Sequence, residues 1–130
     1  MNKYAKVAIE VAEELQSMKK EEQKKIDLGD LWKKKCKENE FKEASIKKVC
    51  PRLAFIGLCE NNLIKGIEIK NSNKESLNKN YAIEAVKVLK NNKRDYTSNE
   101  LWEEIGNKDK KHNSQMNIVL ALWEKGMIEE

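Results

Sequence analysis

Two stretches of this chain carry the same pattern, and that recurrence limits the fold more than any other feature. Residues Cys50 to Ile64 return as Ser114 to Ile128, a shift of 64. Under that shift Gly57 falls on Ala121, Leu58 on Leu122, Glu60 on Glu124, Leu63 on Met127 and Ile64 on Ile128. Each copy reads as a densely apolar helix. Asn62 and Gly126 share a column, and Asn and Gly are the residues that tolerate a left-handed helix stop. The apolar residue after each stop can fold back on the last turn.

The match extends upstream. Tyr4-Ala5 with Ala8 recurs as Tyr81-Ala82 with Ala85, a shift of 77. Leu31-Trp32 recurs as Leu101-Trp102, a shift of 70, with Asp27 on Thr97 and Asp30 on Glu100. The shrinking shift means shorter loops in the second copy. Three matched helices in one order predict tandem three-helix units over 1–66 and 80–130, joined by a linker over 67–79. The linker holds the polar, breaker-rich run Lys70 to Ser76. Gly66 to Ile69 alternates briefly, as a short extended segment or, at best, a wing-like strand would.

Periodicity, caps and stops set the expected helices at 4–18, 28–37, 51–61, 81–90, 98–105 and 115–125. The first carries the stripe Tyr4, Ala8, Val11, Leu15 and Met18. Asp27 is its successor's expected N-cap. Thr97 with Glu100 forms a capping box. Cys50 is expected at a cap and Pro51 in the first turn, where its missing N–H costs nothing. A short helix is expected around 44–49, and Lys19 to Lys25 reads as a solvated helix end or loop. The fold class is therefore all-α, two helix-turn-helix-like units sharing one core. Trp32, Phe55, Leu58, Cys59, Trp102, Leu120 and Trp123 are the expected core anchors.

Composition narrows the function classes. Charged residues are 37% of the chain and mean hydropathy is −0.82, which requires a charged surface over an economical core. Net charge is +4, and Arg52 and Arg94 are the only arginines. Lys meets phosphate as a point charge, whereas Arg is the common reader of guanine edges, so a nucleic-acid role would rest on phosphate contacts. Cys36, Cys50 and Cys59 form no zinc-ligand spacing. No phosphate-binding Gly loop, metal cluster or Ser/His/Asp order is present, so no cofactor or metal is expected. No apolar run approaches ~20 residues, so no membrane span is expected. The first residues run straight into an amphipathic helix, and a reduced cytoplasmic setting is the expectation.

Tyr4-Ala5, Cys50-Pro51-Arg52 with Ala54-Phe55, Gly57-Leu58-Cys59-Glu60, and Lys111 to Met116 with Ala121-Leu122-Trp123 together resemble an uncharacterised bacterial family, a domain of unknown function. The resemblance spans nearly the whole chain. It implies a cytoplasmic bacterial protein and carries no activity or site residues.

Three functions compete. The first is a non-enzymatic binding or regulatory protein that touches DNA weakly. In a helix-turn-helix unit the start of the last helix enters the major groove. That start holds Lys110, Lys111, His112, Asn113 and Gln115 in the second unit, and Lys47, Lys48 and Arg52 in the first. The lysines would hold phosphates, and Gln115 would read an adenine edge. Against this, Ile118 to Trp123 is apolar nearly all round, as a buried helix is. The second function is a protein–protein interaction module or homodimer. The third is a thiol-dependent enzyme, with Cys50 activated at a helix start and paired with His112 across a pseudo-twofold.

Overall fold

The computed structural model describes residues 1–129. Among them are eight helices, α1 to α8, and no strand. Helix α1 spans Lys3–Gln16 because an apolar stripe runs its length and Asn2 caps it. The Asn2 side chain accepts from Tyr4 N at 2.9 Å and Ala5 N at 3.1 Å, satisfying two backbone donors that no helical carbonyl can reach. Tyr4, Val7, Ala8, Val11, Ala12 and Leu15 are buried along the stripe.

Helix α3, Leu28–Glu38, and helix α7, Ser98–Glu104, open as their sequence signals require. Asp27 Oδ1 accepts from Asp30 N at 3.0 Å, and Thr97 with Glu100 closes the capping box. Trp32 and Trp102 both turn inward. Trp32 packs on Phe55 with ring centroids 5.5 Å apart. Helices α5, Val49–Glu60, and α8, Gln115–Glu124, end on the two expected left-handed residues, Asn62 at φ 56° and Gly126 at φ 70°. Beyond each stop the next N–H folds back. Leu63 N donates to Leu58 O, and Met127 N to Leu122 O, each at 3.0 Å.

Matched residues also meet. Ile64 and Ile128 form an isolated antiparallel bridge. Lys65 N donates to Met127 O and Glu129 N to Leu63 O, both at 2.8 Å. Shifting either bond by 64 turns it into the other. Helix α1 packs on α8, while α6, Leu77–Asn91, packs on α5. The first helix of each expected unit thus lies on the last helix of the other, and one apolar cluster includes residues from both.

Several expectations need correction. The stretch expected as the linker, 67–79, runs into α6, which begins at Leu77, and it is packed: Ile67 is buried, and Lys79 is buried against Glu60. Gly66 to Ile69 forms no strand, because Glu68 N is taken by the Gln23 side chain rather than a neighbouring backbone. Lys19 to Lys25 is not solvated throughout. It contains α2, Lys20–Lys25, and buries Gln23. The short helix α4 is Glu43–Ile46. Cys50 is not a cap; Lys48 precedes α5, which places Cys50 second and Pro51 third in the helix. Leu120 and Trp123 are half-buried rather than core, because they lie on the outer side of α8 while Met116, Ile118, Val119 and Leu122 take the interior.

Candidate nucleic-acid interface

Three long helices begin at one end of the molecule. The Asn113 side-chain amide meets Cys50 Sγ at 4.0 Å, which joins the start of α8 to the start of α5. Asn2 Nδ2 donates to Ser114 Oγ at 3.2 Å, which adds the start of α1. The two candidate stretches therefore meet at Asn113 and Cys50. Lys47, Lys48, Lys110 and Lys111 are exposed there, and Arg52 is half-buried. Lys3, beside Ser45 near the start of α5, was missed from sequence. Its ammonium donates to Ser45 Oγ at 2.8 Å and lies 4.9 Å from the Phe41 ring centre. Helix starts carry partial positive charge, so dipoles and lysines act in the same sense.

Next to this end lies a shallow cleft of about 400 Å³ lined by Asn99, Trp102, Glu103, Lys108, Lys110, Lys111 and His112. A run of side-chain contacts backs it. Lys110 Nζ donates to Tyr81 OH at 3.1 Å, and Tyr81 meets Trp102 edge-on at 4.9 Å. Trp102 Nε1 donates to Lys110 O at 2.7 Å, which holds the 108–112 loop against α7. His112 leans on Trp102, and its Nε2 pairs with Asn99 Oδ1 at 2.9 Å. The other ring nitrogen is buried without a partner. Burial lowers the His112 pKa from its ordinary value. Asn99 and Lys108 also escaped the sequence reading: Asn99 is an unremarked position inside a capping box, and Lys108 is one lysine among many.

Two residues expected to contact bases are engaged elsewhere. Gln115 is 2% exposed. Its Nε2 donates to Asn78 Oδ1 at 3.0 Å, and its Oε1 accepts from Asn113 N. It fastens α8 to α6 and cannot reach a groove. Asn113 is half-buried against Cys50. Helix α8 packs on α1, α5, α6 and α7, so it is a central helix and not an open reading helix.

The thiol pairing expected from sequence also meets a different geometry. Asn113, not His112, touches Cys50, and no hydrogen bond joins His112 to Cys50 among the described residues. Cys36 and Cys59 are buried. Burial pushes the Cys36 thiol up to about 11 despite the nearby charges of Lys3 and Arg52, and pushes Cys59 well above its usual range. Among the described residues no trio of His, Cys, Asp or Glu could hold a metal ion, and no helix is long and apolar enough to cross a membrane.

No curated protein and no solved structure matches the chain. A family model does: residues 1–129 match the Family of unknown function (DUF6979), and the chain belongs to that family.

Proposed function

We propose that this family member is a non-enzymatic binding protein that holds the phosphate backbone of nucleic acid at the end where α1, α5 and α8 begin. The observation that supports this reading is the Asn113–Cys50 contact, which brings together the starts of α5 and α8, each preceded by a pair of exposed lysines. Opposed charge on a low-dielectric surface concentrates a polyanion near it. The burial of Gln115 argues that the face reads charge and not base identity.

The affinity expected of such a face is in the nonspecific range, on the order of 10 µM at low salt, and it falls steeply as salt releases the counterion advantage. Fluorescence anisotropy with random-sequence duplex in ~50 mM salt measures this. Lys47→Ala with Lys48→Ala, and Lys110→Ala with Lys111→Ala, should each weaken binding and flatten the salt slope, since both pairs border one face. Changing the duplex sequence should leave the affinity unaltered. No binding at ~100 µM protein, or loss confined to one lysine pair, rejects the reading.

A further inference from the structure

The repeat supplies an internal control for what the fold itself requires. Val49, Leu53 and Ile56 recur at helical spacing on α5, and Val49 is exposed while the other two are only partly buried. The matched positions of α8 are Asn113, Asn117 and Leu120. A helix in this architecture thus tolerates polar residues in the first two columns. Glu60 and Glu124 also share a column, yet Glu60 is buried on Lys79, whereas Glu124 is exposed and Asn2 stands in the Lys79 column. The apolar stripe and the buried charges belong to the first half alone.

Both features meet in one open cavity of about 500 Å³. Leu28, Leu53, Ile56 and Ile69 give it apolar walls, and the buried pair Glu60 and Lys79 lines it as well. An apolar lining with a few convergent polar groups, in a volume of about 300–1,000 Å³, is the usual make-up of a small-molecule site. The pair has unequal capacity for a further hydrogen bond. The Lys79 ammonium has three hydrogens, and Glu60 Oε1 at 2.6 Å, Lys74 O at 2.8 Å and Ser72 Oγ at 3.3 Å take all of them. The Glu60 carboxylate offers about four lone-pair sites. Lys79 Nζ and Ser72 N occupy two of these among the described residues. The pair can therefore accept another hydrogen bond but has none left to donate. Its charges balance, and the other charged lining residues, Asp27 and Glu75 with Lys70 and Lys74, are exposed and balance too.

We propose that the α5 cavity binds a small neutral molecule with an apolar body and one hydrogen-bond donor, the body against Leu53 and Ile56 and the donor on Glu60. A hydrogen bond to an ionised acceptor is stronger than one between neutral groups, and apolar walls strengthen it further. A ligand whose polar group only accepts would meet no free hydrogen on Lys79. A charged ligand would leave its charge uncompensated in a lining that is already balanced. This site is independent of the lysines at the helix starts.

The test uses the full chain, isotopically labelled, with indole as the probe, a neutral apolar body carrying a single N–H donor. Amide shifts should move and saturate at Leu53, Ile56, Glu60, Ser72 and Lys79, with a dissociation constant on the order of 1 mM or tighter. The probe 1-methylindole keeps the apolar body and lacks the donor, so it should bind about tenfold more weakly. Leu53→Asn places on α5 the residue that α8 carries in the same column, and it should weaken indole binding about fivefold. Absence of shifts at about 5 mM indole, shifts centred on another surface, or equal binding of the two probes overturns the proposal. The comparison of probes is made on the unaltered chain, so it decides the matter even if Leu53→Asn folds poorly. Concentration-dependent shifts at the same amides without indole, with a dimer in sedimentation, would assign the apolar stripe to a second copy of the chain and overturn the proposal as well.

Discussion

Gln23 has the most consequential side chain that its local sequence disguises. It sits in a run of Lys and Glu, and it is 1% exposed. Its Nε2 donates to Leu15 O at 2.6 Å and to Gly66 O at 2.9 Å, and its Oε1 accepts from Glu68 N at 2.8 Å. One amide therefore satisfies three backbone groups from the end of α1 and the segment after α5. Buried backbone polar groups left without partners cost about 1–3 kcal/mol each, less what water recovers. Gln23→Ala should lower unfolding stability by about 2 kcal/mol or more in urea titration. The exposed neighbour Gln16→Ala, which loses one bond to Lys65 O, should cost well under that. Equal effects would mean that the Gln23 amide carries no special share.

At the scale of elements, the crossing of α6 on α5 depends on Gly57. A Cβ there would come 2.7 Å from Lys79 Cβ and 2.8 Å from Lys79 Cα. The second contact is backbone, so a side chain cannot simply swing away. Gly57→Ala gains about 1 kcal/mol of helix propensity, but overpacking costs about 1–3 kcal/mol and moves the helix. The expected net is destabilisation, with a shifted α6 and a loosened Lys79–Glu60 pair. The matched Ala121 faces a different environment. It is only partly buried, and Ala121→Gly should cost about 1 kcal/mol, mainly through propensity. Denaturation midpoints of the two variants, with the amide spectrum of residues 72–79, separate packing from propensity. A stabilised Gly57→Ala protein would refute the close crossing. The half-burial of Trp123 also bears on the elements: Trp32, fully buried on Phe55, is the aromatic whose truncation to Ala belongs in the 3–5 kcal/mol range, and Trp123 falls below it.

For the whole molecule, pH acts through two groups in different halves. His112 has its pKa lowered by burial. The unfolded chain takes up that proton near pH 6.5 while the folded chain resists it, so stability is whole above about 6.5 and declines as pH falls below it. Burial pushes the Glu60 carboxyl up, and the bonds from Lys79 and Ser72 outweigh it, leaving its pKa below the usual value. Its contribution is present above about pH 4.5 and is lost as pH falls through the lower folded value. Chemical denaturation across pH 3 to 8 should therefore show a first decline below ~6.5 that His112→Phe removes, and a steeper one below ~4.5 that Glu60→Gln reduces. A first decline that survives His112→Phe would assign it to another group.

Short-range chemistry determined much of this architecture. Stripes at helical spacing, the Asp27 and Thr97 caps and the Asn62 and Gly126 stops act within a few residues, so all six main helices were legible to within a few residues, as was the inward turn of Trp32 and Trp102. The start of α6 was placed too late because Ser76 caps a first turn, 77–80, that carries no apolar stripe. What only the tertiary structure decided depends on partners far apart in the chain. Gln23 is buried because residues 66 and 68 return to it, Gln115 because Asn78 does, and Lys79 because Glu60 does. The meeting of Cys50 with Asn113 likewise follows from how α1, α5, α6 and α8 pack. A polar side chain carries no local mark of whether a distant partner will make its burial affordable, and for that reason the burial of Gln23, Gln115 and Lys79 became visible only in the folded chain.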